Sequence, residues 1–298
     1  MPDTSSTNHK LKISLSEVSS IIELARLHRP IGIFLLLWPI YWGLWLAAGG
    51  IPKPGLLLIF TLGVIFMRSA GCIINDIADQ RFDGSVERTK QRPLITGKVT
   101  SAQALFVFCL LCGLGLLLVL QLNWQTIALS FLALLLSIFY PFMKRITHFP
   151  QVILGLTWYI GILMTFTATL GTINLTGYLL YLTGILWAVI YDTFYAMVDR
   201  EDDRKIGVKS TAIFFGNADK IVIAILQILM LTLLVLIGRL NVLHWPYYLG
   251  LGASILFFGY QQYLIKNRIP SRCFDAFINS HWVGMSIFVG IFFSFMVK

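Results

Sequence analysis

The chain has 298 residues, of which 57% are hydrophobic and only 12% charged, with a mean hydropathy of +0.78. Soluble domains carry roughly 25% charged residues, so this composition excludes a water-soluble globular protein and places the chain in a bilayer. A net charge of +9 then describes a membrane surface facing anionic lipid, and it argues against nucleic acid as a partner.

In chain order, residues 1–28 read as a polar leader and residues 29–298 as one transmembrane domain. The leader carries Asp3 and Glu17. It has neither the apolar core of a signal peptide nor the Arg-rich, acid-poor character of a transit peptide. Within it, Ser20 and Glu23 form a capping-box pattern, and Ile21, Leu24 and Ala25 share a face. That pattern predicts a short helix over Ser20 to Leu27 lying on the cytoplasmic interface, although a flexible leader fits equally well.

Nine apolar stretches follow, each near the ~20 residues that a helix needs to cross hydrocarbon. They run Ile31 to Ala48, Leu56 to Ile74, Ala104 to Leu120, Thr126 to Phe142, Val152 to Leu170, Tyr178 to Met197, Ile221 to Ile237, Tyr247 to Tyr263 and Ala276 to Val297. The expected fold is an all-α membrane protein of nine transmembrane helices. With the N-terminus cytoplasmic, only Lys53, Arg239 and Lys298 of the 23 Lys and Arg residues face the other side, and Arg68 lies inside the second stretch. An even count would destroy that asymmetry, which cytoplasmic loops normally show. Cys109 and Cys112 form a C-x-x-C inside an apolar stretch with no second ligand pair, which suits helix packing better than metal or redox chemistry.

All 14 acids fall on the cytoplasmic side of this topology. Asn75, Asp76, Asp79 and Asp83 gather at the end of the second stretch. Asp192, Asp199, Glu201, Asp202 and Asp203 gather at the end of the sixth. If each helix continues past the hydrocarbon, Asp76, Asp79 and Asp83 fall at i, i+3, i+7 on one face, and Asp192, Asp199 and Asp203 at i, i+7, i+11. Carboxylates on one face repel, and near a helix C-terminus they oppose the macrodipole. Ion pairing with Arg81, Arg88, Arg200 and Arg204 would explain one such stripe. Two stripes at matching helix ends, with Asn75 and Asp192 reaching toward the membrane, point to a cation site. Oxygen ligands without His or Cys suit magnesium or calcium rather than zinc.

Basic residues complete the pattern. Arg88 and Arg92 follow the first cluster, Lys144 and Arg145 the fourth stretch, and Lys205 and Lys209 the second cluster. Positive-inside topology accounts for each alone. Together with the acids they suit a metal-bridged diphosphate clamped by Arg and Lys. No glycine-rich phosphate loop points to a nucleotide. Arg68 differs from the rest, since a charge inside a span faces the bundle interior or an aqueous cavity.

These residues resemble a known family. Asn-Asp-x-x-Asp-x-x-x-Asp at Asn75 to Asp83 and Asp-x-x-x-Asp at Asp199 to Asp203 look like the two signatures of the UbiA superfamily of intramembrane prenyltransferases. Arg29-Pro30-Ile31-Gly32, Leu37-Trp38-Pro39, Tyr140-Pro141-Phe142-Met143-Lys144-Arg145, Tyr195-Ala196-Met197-Val198-Asp199 and Lys209-Ser210-Thr211-Ala212 most resemble its 4-hydroxybenzoate polyprenyltransferases of ubiquinone biosynthesis.

The resemblance implies a bundle around a central cavity, capped on the cytoplasmic side and open sideways to membrane lipid. It implies transfer of a polyprenyl group from polyprenyl diphosphate to the ring of 4-hydroxybenzoate in a bacterial inner membrane, with no obligatory protein partner. It also implies two Mg²⁺ ions, held by Asn75, Asp79 and Asp83 on one side and by Asp199 and Asp203 on the other. Arg145 would contact the diphosphate or the aromatic carboxylate. Arg29, Arg68, Arg88, Arg92, Lys144, Lys209, Tyr140, Tyr195 and Asp192 are further substrate-binding candidates. Tyr140, Tyr195, Trp38 and Trp187 are candidates to face an allylic cation, with ordinary packing the stronger reading for the tryptophans. A secondary transporter is the rival from another class, but its acids belong near the midplane rather than at one face. Another acceptor within the same superfamily is the second rival.

Overall fold

A computed structural model describes residues 15–84 and 87–297, and every regular element among them is helical. Helices satisfy their backbone hydrogen bonds internally, which hydrocarbon demands of a single spanning segment. The elements are α1 (Leu15–Leu24), α2 (Ile31–Ala48), α3 (Pro54–Asp83), α4 (Ser101–Val119), α5 (Trp124–Ile146), α6 (Pro150–Trp158), α7 (Ile160–Leu170), α8 (Leu175–Val198), α9 (Arg200–Ile206), α10 (Thr211–Phe215), α11 (Asp219–Leu240), α12 (Trp245–Leu264) and α13 (Pro270–Ser294).

Local chemistry sets the ends. Thr100 and Gln103 close a reciprocal capping box at the start of α4. Asn123 and Asn174 cap α5 and α8 through their side-chain oxygens. α2 stops at Gly49, whose φ of 63° lies in the left-handed region open to glycine.

Among the described residues, eight helical segments are long and apolar enough to cross a membrane, with α6 and α7 acting as one and α10 joining α11. The chain is a multi-pass membrane protein. α12 is 20 residues long but carries Gln261 and Gln262 and is not one of the eight.

Two expected helices are interrupted. The fifth stretch bends at Tyr159, where φ is −91° and ψ 4°. The fully buried Tyr159 donates its hydroxyl hydrogen to the Leu35 carbonyl at 3.1 Å and lies 3.2 Å from the Tyr191 hydroxyl. The second acidic stripe corrects the expectation of a continuous helix: α8 ends at Val198, Asp199 forms the junction, and α9 begins at Arg200. The break has an electrostatic reason. Glu201, Asp202 and Asp203 now occupy the first turn of a new helix, where the macrodipole favours carboxylates instead of opposing them.

α2, α8 and α13 form the centre, with Trp42 and Trp187 fully buried. The Trp42 indole donates to the Gly284 carbonyl of α13 at 3.0 Å. A Cβ on Gly284 would lie 2.6 Å from Trp187 and 2.7 Å from Trp38, so glycine permits the close approach. By contrast, α4 and α5 are only 11% buried across their apolar windows, against 67% for α2. Their outer faces present Phe106, Leu110, Leu117, Phe131 and Leu135 to lipid.

α1 matches the expected Ser20 to Leu27 helix only as far as Leu24: it starts earlier than the capping pattern suggested, so that Ser20 lies inside it, and Ala25 to Leu27 form a turn. Leu24 and Ala25 are buried against Ile73, Leu94, Val99 and Ala104, while Val18 and Ile22 stay exposed. Residues 1–14, including Asp3, lie outside the described residues.

Candidate active site

At 1.5 Å per residue the 30-residue α3 is about 45 Å long, whereas hydrocarbon is ~30 Å thick. Its last turns therefore stand clear of the apolar layer, and they carry the first acidic stripe. Asp76, Asp79 and Asp83 are 2%, 3% and 6% exposed, so these are enclosed carboxylates and not a solvated surface. α8, the Asp199 junction and α9 face them with Asp192, Asp199 and Asp203. α5 contributes Tyr140 and Lys144.

These elements enclose a polar cavity of about 160 Å³ lined by Asn75, Asp79, Asp83, Asp199 and Asp203. Arg88, Arg92, Lys144, Lys209, Tyr140, Tyr195 and Asp192 complete its wall. Twelve of the fifteen expected site residues thus converge. Of the other three, Arg29 and Arg68 line an adjoining cavity of about 310 Å³, which shares Asn75, Arg88, Arg92, Tyr140, Asp192 and Tyr195 with the first. Arg145 lines neither; it donates to the Ala78 carbonyl at 2.8 Å and covers the Phe142 ring.

The acids meet bases at close range. Lys144 pairs with Asp79, and Arg92 with both Asp83 and Asp76. Arg88 grips Asp199 with two nitrogens while its guanidinium lies 4.5 Å from the centre of the Tyr195 ring. Burial acts to lower the basicity of Arg88, but Tyr195 and Asp199 outweigh it and hold this guanidinium above its ordinary value. Arg92 is raised likewise, with Asp76 and Asp83 overcoming the effect of burial. Asp203 has no ion-pair partner among the described residues. Burial, reinforced by the charge of Asp199, pushes its carboxyl up to about 7.

The donor set fits a hard divalent cation. Asp79 Oδ1 is buried without a hydrogen-bond partner, a costly state that a cation would relieve. Among the described residues no three carboxylate, His or Cys side chains converge on one metal position. Magnesium held by one or two carboxylates together with phosphate oxygens of a substrate does not require such a cluster.

Arg68 sits where the second cavity meets an apolar groove of about 300 Å³, and the two share Arg68, Ser137 and Trp158. Its guanidinium lies 4.6 Å from the centre of the Trp158 ring, it donates to Cys72 Sγ, and its Nε has no partner. A Cβ on Gly32 would collide with this guanidinium. Glycine in the Arg29-Pro30-Ile31-Gly32 word thus makes room for an arginine on the next helix. Trp38 and Trp187 line none of these cavities; they pack against Phe288 and Trp42.

Several residues escaped the sequence reading. Gln151 lines the polar cavity and accepts from the Thr211 amide; a lone amide just after Pro150 in an apolar segment was the available signal. Arg26 clasps Asp76 through one nitrogen at 3.0 and 2.9 Å, and nothing local to the leader announces that partner.

Residues 36–290 match the model of the UbiA prenyltransferase family. The chain belongs to that family. It is 52% identical over 284 residues to a 4-hydroxybenzoate octaprenyltransferase of Providencia stuartii, covering 95% of this chain and 99% of the relative. It is 54% identical over 269 residues to the enzyme of the same name from Tolumonas auensis, covering 90% and 94%. A UbiA homologue from Aeropyrum pernix solved in its apo form superposes with a TM-score of 0.77 at 23% identity, over 87% of this chain and 96% of that one. A homologue from Archaeoglobus fulgidus, solved with GPP and Mg²⁺, gives 0.70 at 17% identity over 91% and 99%. The structural matches establish the UbiA fold.

Proposed function

We propose that this UbiA-family protein transfers a polyprenyl group from polyprenyl diphosphate to the ring carbon ortho to the hydroxyl of 4-hydroxybenzoate, releasing diphosphate, as a step of ubiquinone biosynthesis. The observation that carries this reading is a row of three cavities with shared walls. The polar cavity, lined by the two acid pairs, shares Tyr140, Asp192 and Tyr195 among others with the second cavity, which in turn shares Arg68, Ser137 and Trp158 with the apolar groove. The chemistry requires a polar end and an apolar end in that order.

Asn75, Asp79 and Asp83 would hold one Mg²⁺ and Asp199 and Asp203 a second, and the bound cations would neutralise the diphosphate as it leaves. The protein's own part is an exchange of partners. Lys144, Arg88 and Arg92 now neutralise the carboxylates; on substrate binding their charges turn to diphosphate oxygens. The bond between the allylic carbon and the bridging oxygen breaks, and its electron pair goes with the diphosphate. Tyr140 and Tyr195, on the shared wall, present rings to the electron-poor carbon and exclude water.

The acceptor enters the second cavity with its carboxylate on Arg68, whose guanidinium, like that of Arg29 there, has no ion pair among the described residues, and whose Nε is buried without a hydrogen-bond partner. Its ring attacks the allylic carbon, and the ring proton leaves as aromaticity returns. Asp192 lines both cavities and is the carboxylate placed to receive it. Residues 29–298 form the catalytic unit, with α12 bringing the crossings to nine, the N-terminus in the cytoplasm and the acidic end facing the cytoplasm of a bacterial inner membrane.

Purified protein with Mg²⁺, a polyprenyl diphosphate and a panel of labelled aromatic acids tests the reading by product mass. Prenylated 4-hydroxybenzoate is expected. Asp79→Asn and Asp199→Asn should each lose about 10²-fold or more of the turnover while keeping the wild-type unfolding temperature. Turnover of some other acceptor, with 4-hydroxybenzoate untouched, would retain the prenyltransferase and discard this substrate.

A further inference from the structure

Asp219 is the first residue of α11 and is fully buried, yet it lines none of the three cavities. Two guanidiniums converge on it. Arg200 donates to one carboxylate oxygen. Arg268, in the turn between α12 and α13, donates to both, through Nε at 2.9 Å and Nη2 at 2.8 Å. Arg268 also holds the Asn217 carbonyl at 2.9 Å.

Arg200 immediately follows Asp199 and opens α9. α9 is seven residues long, and its pairs Glu201–Arg204 and Asp202–Lys205 lie within the helix itself. They cannot fix its orientation. At its far end Gly207 adopts φ 74°, and the Lys209 amide donates to the Lys144 carbonyl at 2.9 Å. At its near end the buried tie is Arg200 to Asp219. Arg200 and Asp203 stand three positions apart on one helix, where i and i+3 share a face. Anchoring Arg200 on the inner side therefore fixes the direction in which Asp203 projects, and it holds the junction from which its neighbour Asp199 reaches the polar cavity.

We infer that the Arg200–Asp219–Arg268 cluster is a positioning device that sets how tightly the Asp199 and Asp203 pair holds a cation-bridged diphosphate. This rests on the reading of the polar cavity given above. Asp219 is a positioning residue, acting through Arg200 on side chains it does not touch. Residues that orient metal ligands typically alter metal affinity about 10- to 100-fold when changed.

The test is Mn²⁺ binding in the presence of farnesyl thiolodiphosphate, read from the electron paramagnetic resonance signal of free Mn²⁺, with no turnover involved. Arg200→Gln leaves Asp219 paired to Arg268 and should weaken Mn²⁺ binding about tenfold. Arg200→Lys should recover most of it. Asp219→Glu retains both ion pairs, and hence the fold, but moves the anchor by one methylene; it should weaken binding severalfold. Binding of 4-hydroxybenzoate should be unchanged in all three. Wild-type Mn²⁺ affinity in folded Arg200→Gln or Asp219→Glu overturns the inference. If Arg200→Gln does not fold, Asp219→Glu decides alone. Failure of the wild-type protein itself to bind Mn²⁺ with the thiolodiphosphate would instead remove the reading of the cavity.

Discussion

Arg68 and Arg145 carry the same charge in opposite surroundings. Arg145 donates to the Ala78 carbonyl and lies 3.9 Å from Asp79 Oδ1, with a side chain 37% exposed. Arg68 lies within a membrane-spanning helix at the meeting of two cavities, with Nε unpartnered. Arg68→Lys should therefore raise the KM for 4-hydroxybenzoate by about 10- to 100-fold, the worth of a charge-assisted hydrogen bond, and Arg145→Lys should leave it within about threefold. Steady-state kinetics of the two variants with the 4-hydroxybenzoate concentration varied would show the reverse ranking if Arg145 held the carboxylate. Asp203 supplies a pH prediction. Its carboxyl is held at about 7 by burial and Asp199, so below that pH it keeps a proton that a cation must displace, and above it burial of the anion costs stability that a cation offsets. The Mg²⁺ concentration for half-maximal activity should thus be steady above pH 7 and rise as pH falls, approaching about tenfold per unit for one proton displaced. A flat profile down to pH 5.5 would show that Asp203 does not meet the cation. The acids were legible as residues because their types and spacing carry chemistry. Their partners were not, since Arg26 to Asp76 and Arg200 to Asp219 are contacts made by tertiary folding.

At the scale of helices, eight of the nine apolar stretches fall on segments long and apolar enough to cross a membrane, the exception being the stretch on α12, and the structure otherwise changed mainly the ends and the breaks. The first acidic stripe follows the expected i, i+3, i+7 face because α3 stays regular to Asp83. The second breaks at Asp199, which a periodicity argument does not detect, because Asp199 is compatible with either state and the choice depends on where the following acids meet a helix dipole. The apolar groove offers a test of where the prenyl chain would lie. Gly63 on α3 and Gly113 on α4 line it, and a Cβ on either meets nothing within 4 Å. Gly113→Phe should fold and narrow the groove, lowering kcat/KM for a long polyprenyl diphosphate by about tenfold or more while sparing geranyl diphosphate. Equal loss for both substrates would locate the prenyl chain elsewhere.

For the molecule as a whole, topology decides which compartment supplies the acceptor. In a background without native cysteines, Glu201→Cys should react with an impermeant maleimide only from the cytoplasmic side, and Gln121→Cys only from the other. Labelling of both from one side of sealed vesicles would change the number of crossings made by α5 to α8, the helices between the two sites. The central helices α2, α8 and α13 bury their surfaces on one another, but α4 and α5 give most of theirs to the surroundings. One wall of the groove is therefore only one helix thick, and its outer side is acyl chain. Acyl chains packed against that wall would limit how far it can swing outward, so lipid would take part in setting the width of the groove. The breadth of prenyl donors accepted then becomes a joint property of polypeptide and membrane, and it would relax in a loose detergent micelle without any change of sequence.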